Sequence, residues 1–207
     1  VKFMKKFKMD FGKGKRPRSN TELVEECCKM TLIVRDMMVG NPKLADKAFA
    51  KKYGFKADVE TAQGTNSIAS GTQGQRQWTD LFPNFDITES ILNSSFDWDG
   101  FGPAKIVATE NDSKNGVGML LAQLVTGMPQ LFADIRTNWT PASIKKATGV
   151  DVKKLCPNGI VDKRNSGAGS LDYALDIFKL VPGSAKMSPQ DVWNKIMGSK
   201  TLQKKLM

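Results

Sequence analysis

The segment from Ala104 to Ile135 limits the possible folds more than any other part of the chain. It runs from an apolar stretch, "AKIVATE", through a helix-like "GVGMLLAQLVTG", to a second apolar stretch, "PQLFADI". A short continuous apolar run reads as a strand buried on both faces, and a helix of about three turns between two such runs makes a βαβ unit. That unit predicts parallel strands joined by a right-handed crossover. Each run ends on an acid, Glu110 in the first and Asp134 in the second. Parallel strands bring their C-terminal ends to one edge, so both carboxylates are expected in the crevice where α/β folds bind ligands. The fold class read from this pattern is α/β, a Rossmann-like parallel βαβ sheet running into part of a second domain.

The flanking segments fit that class. "SNTELVEECCKMTLIVRDMMVG" has a Ser/Asn/Thr start, early acids and apolar residues at Leu23, Cys27, Met30, Val34 and Met37, which predicts an amphipathic helix stopped by Gly40. "NPKLADKAFAKKYG" predicts a shorter helix, with Pro42 near its start and Gly54 as its stop. "DITESILNSS" reads as another short helix, and "FDWDGFGP" as a turn-rich link anchored by Trp98 and Phe101. "WTPASIKKATG" reads as a helix capped by Thr140 with Pro141 at its first position, and Ser188-Pro189 opens a last basic helix. Between these lies "NSIASGTQGQRQWTD", a polar loop where Gly71 and Gly74 bracket Gln73. It reads either as a solvated loop or as a surface offering amides and hydroxyls to a polyhydroxylated ligand, since glycine lets the backbone come close. The domain organisation expected is a basic arm over 1–20, part of a Rossmann-like domain over 21–117, and the start of a C-terminal domain with a basic helical tail over 118–207.

The chain contains no histidine, which excludes Ser-His and Cys-His nucleophile pairs, histidine-held zinc and an imidazole base. Chemistry must rest on carboxylates, lysines, amides and an oxygen-preferring metal. The net charge of +10 is concentrated at the ends, where eight basic residues face only Asp10 within residues 1–20. Such an arm reads either as a solvated terminus or as a contact for nucleic acid, acidic partners or a membrane surface. Cys27, Cys28 and Cys156 lack metal-site spacing and read as reduced thiols of a cytoplasmic protein. No run reaches the roughly 18 apolar residues of a membrane span.

Two carboxylates at one strand edge suit a hard divalent cation, Mg²⁺ or Mn²⁺, and also suit paired proton transfer. Aldose–ketose isomerisation uses both. The same residues admit a structural reading, in which Asp134 pairs with Arg136 while Glu110, Asn111 and Asp112 cap the next helix.

The segments "GNPKLA", "QGQRQWTD", "LNSSFDWDG", "VATENDSKNG" and "FADIRTNWTP" resemble the L-fucose isomerase family, in that family's order, over roughly residues 30–172. The resemblance implies an aldose–ketose isomerase of the L-fucose to L-fuculose type, working by metal-assisted enediol proton transfer. It implies that Glu110 and Asp134 are both the metal-binding carboxylates and the acid/base pair, with Mn²⁺ as the usual metal. It also implies that Gln73 and Ser166, the latter in "RNSGAGS", contact the open-chain aldose or ketose. A homo-oligomer, usually a hexamer, is the implied assembly.

The family pattern also has a third metal ligand, a histidine, and further histidines where this chain carries Thr65 and Asp162. The family's N-terminal domain and most of its C-terminal domain lie outside this sequence, and the start on Val1 implies a partial chain. Three readings follow. The first is an incomplete chain, inactive alone, that carries part of an isomerase site. The second is a non-catalytic structural or interaction subunit whose basic ends contact RNA or acidic partners. The third is a small enzyme using two carboxylates and waters.

Overall fold

The computed structural model describes residues 1–7, 9, 11, 18–71, 85–165, 167–174, 180–187 and 189–206. Its first long element, α1 (Asn20–Val39), begins with a reciprocal cap: the Ser19 hydroxyl accepts from the Glu22 amide, and the Glu22 carboxylate accepts from the Ser19 amide at 2.8 Å. This arrangement satisfies two of the donors that a helix start leaves open. Leu23, Val24, Cys27, Thr31 and Met38 form its buried stripe at the helical spacing. The predicted second helix divides at Asp46, whose carboxylate caps α2 (Lys47–Tyr53) after a 3₁₀ turn at Pro42–Ala45. A short α3 (Val59–Gln63) then leads into β1 (Ala69–Gly71).

The centre of the fold is a parallel pair. After α4 (Asp86–Leu92) and a small antiparallel hairpin of β2 (Phe96–Asp97) and β3 (Gly100–Phe101), β4 (Ile106–Ala108) lies beside β1 with Ala69 opposite Ile106 and Gly71 opposite Ala108. All three β4 residues are buried. Ile106 and Ala108 pack with Met119 of α5 (Ser113–Thr126) and with Phe132, while Val107 packs with Met38 and Leu92. Alternate side chains of a strand point to opposite faces, and here both faces are covered, as parallel sheets in α/β proteins require. The α/β class is therefore present, with a parallel strand pair at its core.

The expected partner of that strand is different. β4 pairs with β1, not with the run "PQLFADI". Residues 129–133 form no strand, and the next strand, β5 (Asp134–Trp139), pairs antiparallel with β6 (Ile160–Arg164). Two causes are visible. Asn93 occupies one edge of β4, donating from Nδ2 to the Val107 carbonyl at 2.9 Å and accepting the Val107 amide at 2.8 Å. A third strand would need those same two backbone groups. The run itself contains Pro129, which has no amide to donate, and its Phe132 and Ala133 carbonyls accept from the side-chain amides of Asn165 and Asn115. Phe132 stays buried at 1% exposure, so the run contributes to the core without joining the sheet.

The basic arm is also more than a solvated tail. Met4 is 3% exposed, and the Phe3 and Phe7 rings sit 6.1 and 6.3 Å from that of Phe96, with Phe101 at 5.6 Å on the hairpin. Burial of these apolar residues fixes the start of the chain while Lys2, Lys5 and Lys6 face water. Past β5, α6 (Pro141–Thr148) carries the expected Thr140 cap and Pro141 start. After α7 (Leu171–Ala174), the predicted final helix is two, α8 (Pro189–Met197) and α9 (Lys200–Leu206), broken at Gly198 and Ser199. Among the described residues, no helix is long and apolar enough to cross a membrane.

Candidate functional site at the strand edge

β1 and β4 run in the same direction, so Gly71 and Ala108 end their strands at the same edge of the pair. On the β4 side the chain turns abruptly. Thr109 is buried, Glu110 and Asn111 take left-handed backbone angles with φ of 54° and 60°, and α5 begins at Ser113. Successive left-handed residues without glycine are costly, and such strain gathers at functional sites. Gly71 makes room for this turn: a Cβ there would lie 2.7 Å from Asn111 Oδ1 and 2.8 Å from its Cα. The result is an exposed Glu110 carboxylate carried on a fixed turn. Asp112 stands at the cap position of α5 and makes no side-chain cap bond there.

Asp134 lies beside the same helix start. Asn115, in the first turn of α5, donates to the Ala133 carbonyl at 3.2 Å and reaches Asp134 Oδ1 at 3.5 Å. The Asp134 carboxylate also meets Arg136 Nη2 at 3.0 Å, as the structural reading of the sequence expects. Glu110 and Asp134 thus flank the N-terminal turn of α5, although Asp134 arrives there as the first residue of an antiparallel ribbon and not at the end of a parallel strand. Gln73 and Ser166 lie outside the described residues. Gly71, two positions before Gln73, pairs with Ala108, two positions before Glu110. Asn165, just before Ser166, donates to the Phe132 carbonyl at 2.7 Å.

A third carboxylate, which the sequence reading does not single out, sits beneath the turn. Glu89 of α4 is 2% exposed, and its Oε2 accepts from the Thr109 hydroxyl at 2.7 Å and from the Ala168 amide at 3.3 Å. Burial pushes the Glu89 carboxyl up, the two hydrogen bonds pull it back, and the nearby charges of Asp86 and Glu110 push it up again. No local pattern marks Glu89, because Ile87, Thr88, Ile91 and Leu92 around it are buried as well. An acid on an amphipathic helix would read as solvent-facing; this helix has little solvent face. Cys27, also buried, has its thiol pushed up to about 12 mainly by burial, which disfavours the thiolate.

The oxygen donors of Glu110 and Asp134 are of the right chemistry for a hard cation such as Mn²⁺. Among the described residues, no group of three or more His, Cys, Asp or Glu side chains could hold a metal ion. Glu110 and Asp134 by themselves supply two oxygen donors, fewer than such a group needs.

A family model described as the second N-terminal domain of L-fucose isomerase matches residues 5–127. The chain is 52% identical over 144 residues to the L-fucose isomerase of Bacteroides fragilis (strain YCH46), an alignment covering 70% of this chain and 23% of that protein. It is 47% identical over 155 residues to the L-fucose isomerase of Salmonella arizonae, covering 75% of this chain and 25% of the relative. The chain thus spans about a quarter of the length of these relatives. With the family model matching more than half of its residues, the chain belongs to the L-fucose isomerase family.

Proposed function

We propose that this chain carries the strand-edge part of an aldose–ketose isomerase site of the L-fucose to L-fuculose type, and that it does not turn over sugar alone. The observation that supports this most is Glu110, an exposed carboxylate held on a strained turn after a fully buried parallel strand, in a chain of this family. Ketol isomerisation moves a proton between neighbouring carbons, so it needs a base that becomes the acid for the return step. Glu110 is the group free to reach the substrate, and Asp134, steadied by Arg136 and Asn115, is the second carboxylate of the pair. Gln73 and Ser166 are the proposed contacts to the open-chain sugar. Glu110 and Asp134 would also hold a divalent cation of the Mn²⁺ type, which when bound would polarise the sugar carbonyl. Two carboxylates leave several waters on such an ion, so weak binding is expected. The proposed whole-protein assembly is a homo-oligomer, a hexamer in the implied family pattern.

The test is a Mn²⁺ titration followed by paramagnetic resonance, together with an L-fucose isomerase assay on the chain. The expected result is weak Mn²⁺ binding that Glu110→Gln abolishes, and no L-fuculose from the chain alone. Mn²⁺ binding untouched by Glu110→Gln would overturn the site; turnover by the isolated chain would overturn the incompleteness.

The Asp134–Arg136 pair favours a second reading, a structural or interaction subunit in which that carboxylate is committed to holding the ribbon. Strongly salt-dependent RNA binding that disappears on deleting residues 1–20 would support it.

A further inference from the structure

The buried Glu89 carboxylate touches both segments that border the proposed site. Through Oε2 it takes the Thr109 hydroxyl, directly before Glu110, and the Ala168 amide, two positions after Ser166. Gly167 presses against the same point. A Cβ at Gly167 would fall inside the contact distance of both Thr109 Oγ1 and Glu89 Oε2, so only glycine lets the backbone pass. Gly71 meets the other side of the turn at Asn111. The 109–111 turn is thus held between two glycines, with one carboxylate oxygen joining it to the 167–169 segment. Left alone, two non-glycine residues at positive φ would relax toward the common backbone regions; something must hold them.

We infer that Glu89 is a positioning residue that locks the Glu110-bearing turn to the 167–169 segment, so that the carboxylate and the segment on its flank keep one fixed spacing. The inference rests on the sugar-site reading only for what the spacing serves; the lock itself is a property of the apo chain. The acceptor geometry, more than the charge, makes the lock, so glutamine should replace glutamate and leucine should not. Thr109→Val should act like leucine at 89, because it removes the donor while keeping the buried shape.

Amide hydrogen exchange on the metal-free chain reads this directly. In Glu89→Leu and Thr109→Val the amides of Asp112 and Ala168, which donate to the Thr109 carbonyl and to Glu89 Oε2, should exchange roughly tenfold faster or more, the scale of leaving a buried polar partner unsatisfied. Amides in the middle of α1 should be unchanged, and Glu89→Gln should restore protection. If Glu89→Leu does not fold, Thr109→Val decides. Unchanged exchange at both segments, or equal acceleration throughout the chain, would overturn the inference. Mn²⁺ affinity separates the two claims. Binding weakened by Thr109→Val and kept by Glu89→Gln supports positioning of Glu110; binding unaffected by Thr109→Val despite lost protection overturns it. A wild-type chain that binds no Mn²⁺ defeats the metal reading, and the exchange pattern still decides the lock.

Discussion

Two stretches of this chain begin from nearly the same pattern, an apolar run ending on an acid, and reach opposite outcomes. "KIVATE" becomes β4, with every residue buried and both faces covered. "QLFADI" leaves Phe132 in the core and then passes into β5, where residues 135–139 are exposed. Its partner β6 is nearly as open, and no described residue between 133 and 169 is buried. The difference lies in the available partners. β4 has β1 on one edge, Asn93 on the other, and helices on both faces; the second run meets an edge that Asn93 already fills.

That contrast predicts a steep gradient of mutational cost. Val107→Asp should destabilise the chain by roughly 4 kcal/mol or more, since it buries a charge without a partner. Val161→Asp, at a site 52% exposed on β6, should change stability by about 0.5 kcal/mol or less. Urea midpoints measure both, and a large loss at Val161 would mean that the ribbon is covered in solution. Asn93→Ala comes next. It leaves the buried Val107 amide and carbonyl without their side-chain partner, which should cost about 2–4 kcal/mol. A near-neutral result would show that something else can fill that edge and would remove the reason given for the excluded strand. Arg136→Gln should also have only a small effect. Its pair with Asp134 has the Arg136 side chain 52% exposed, so a loss of about 0.2–1 kcal/mol at low salt, vanishing near 1 M salt, is expected. A larger, salt-insensitive loss would place Asp134 in a more enclosed setting than the ribbon now gives it.

Much of the local structure is legible in the sequence. Ser19 with Glu22, Gly40, Thr140 with Pro141, and the run of Ile106 to Ala108 each act within a few residues, and each sits where its pattern places it. What the pattern could not supply was pairing. That β4 would choose "ASG" at 69–71 over "LFADI" depends on Asn93, which acts across fourteen residues and looks, in sequence, like the tail of a short helix. The site divides in the same way. The strand edge made Glu110 visible, and Arg136 was visible as a neighbour of Asp134. Glu89 was not, because its partners lie 20 and 79 residues away and nothing near it in the chain announces burial.

Asn93 has a consequence beyond the native contacts. A short apolar strand of high β-propensity, such as Ile106 to Ala108, can recruit a strand from another molecule while a chain is only partly folded. The amide of Asn93 returns both hydrogen bonds of Val107 from within the same 14-residue stretch, so that edge can close by a local event before distant segments arrive. One side chain thereby protects this apolar strand edge, and a variant lacking it should clump on refolding more readily than its equilibrium stability alone would suggest.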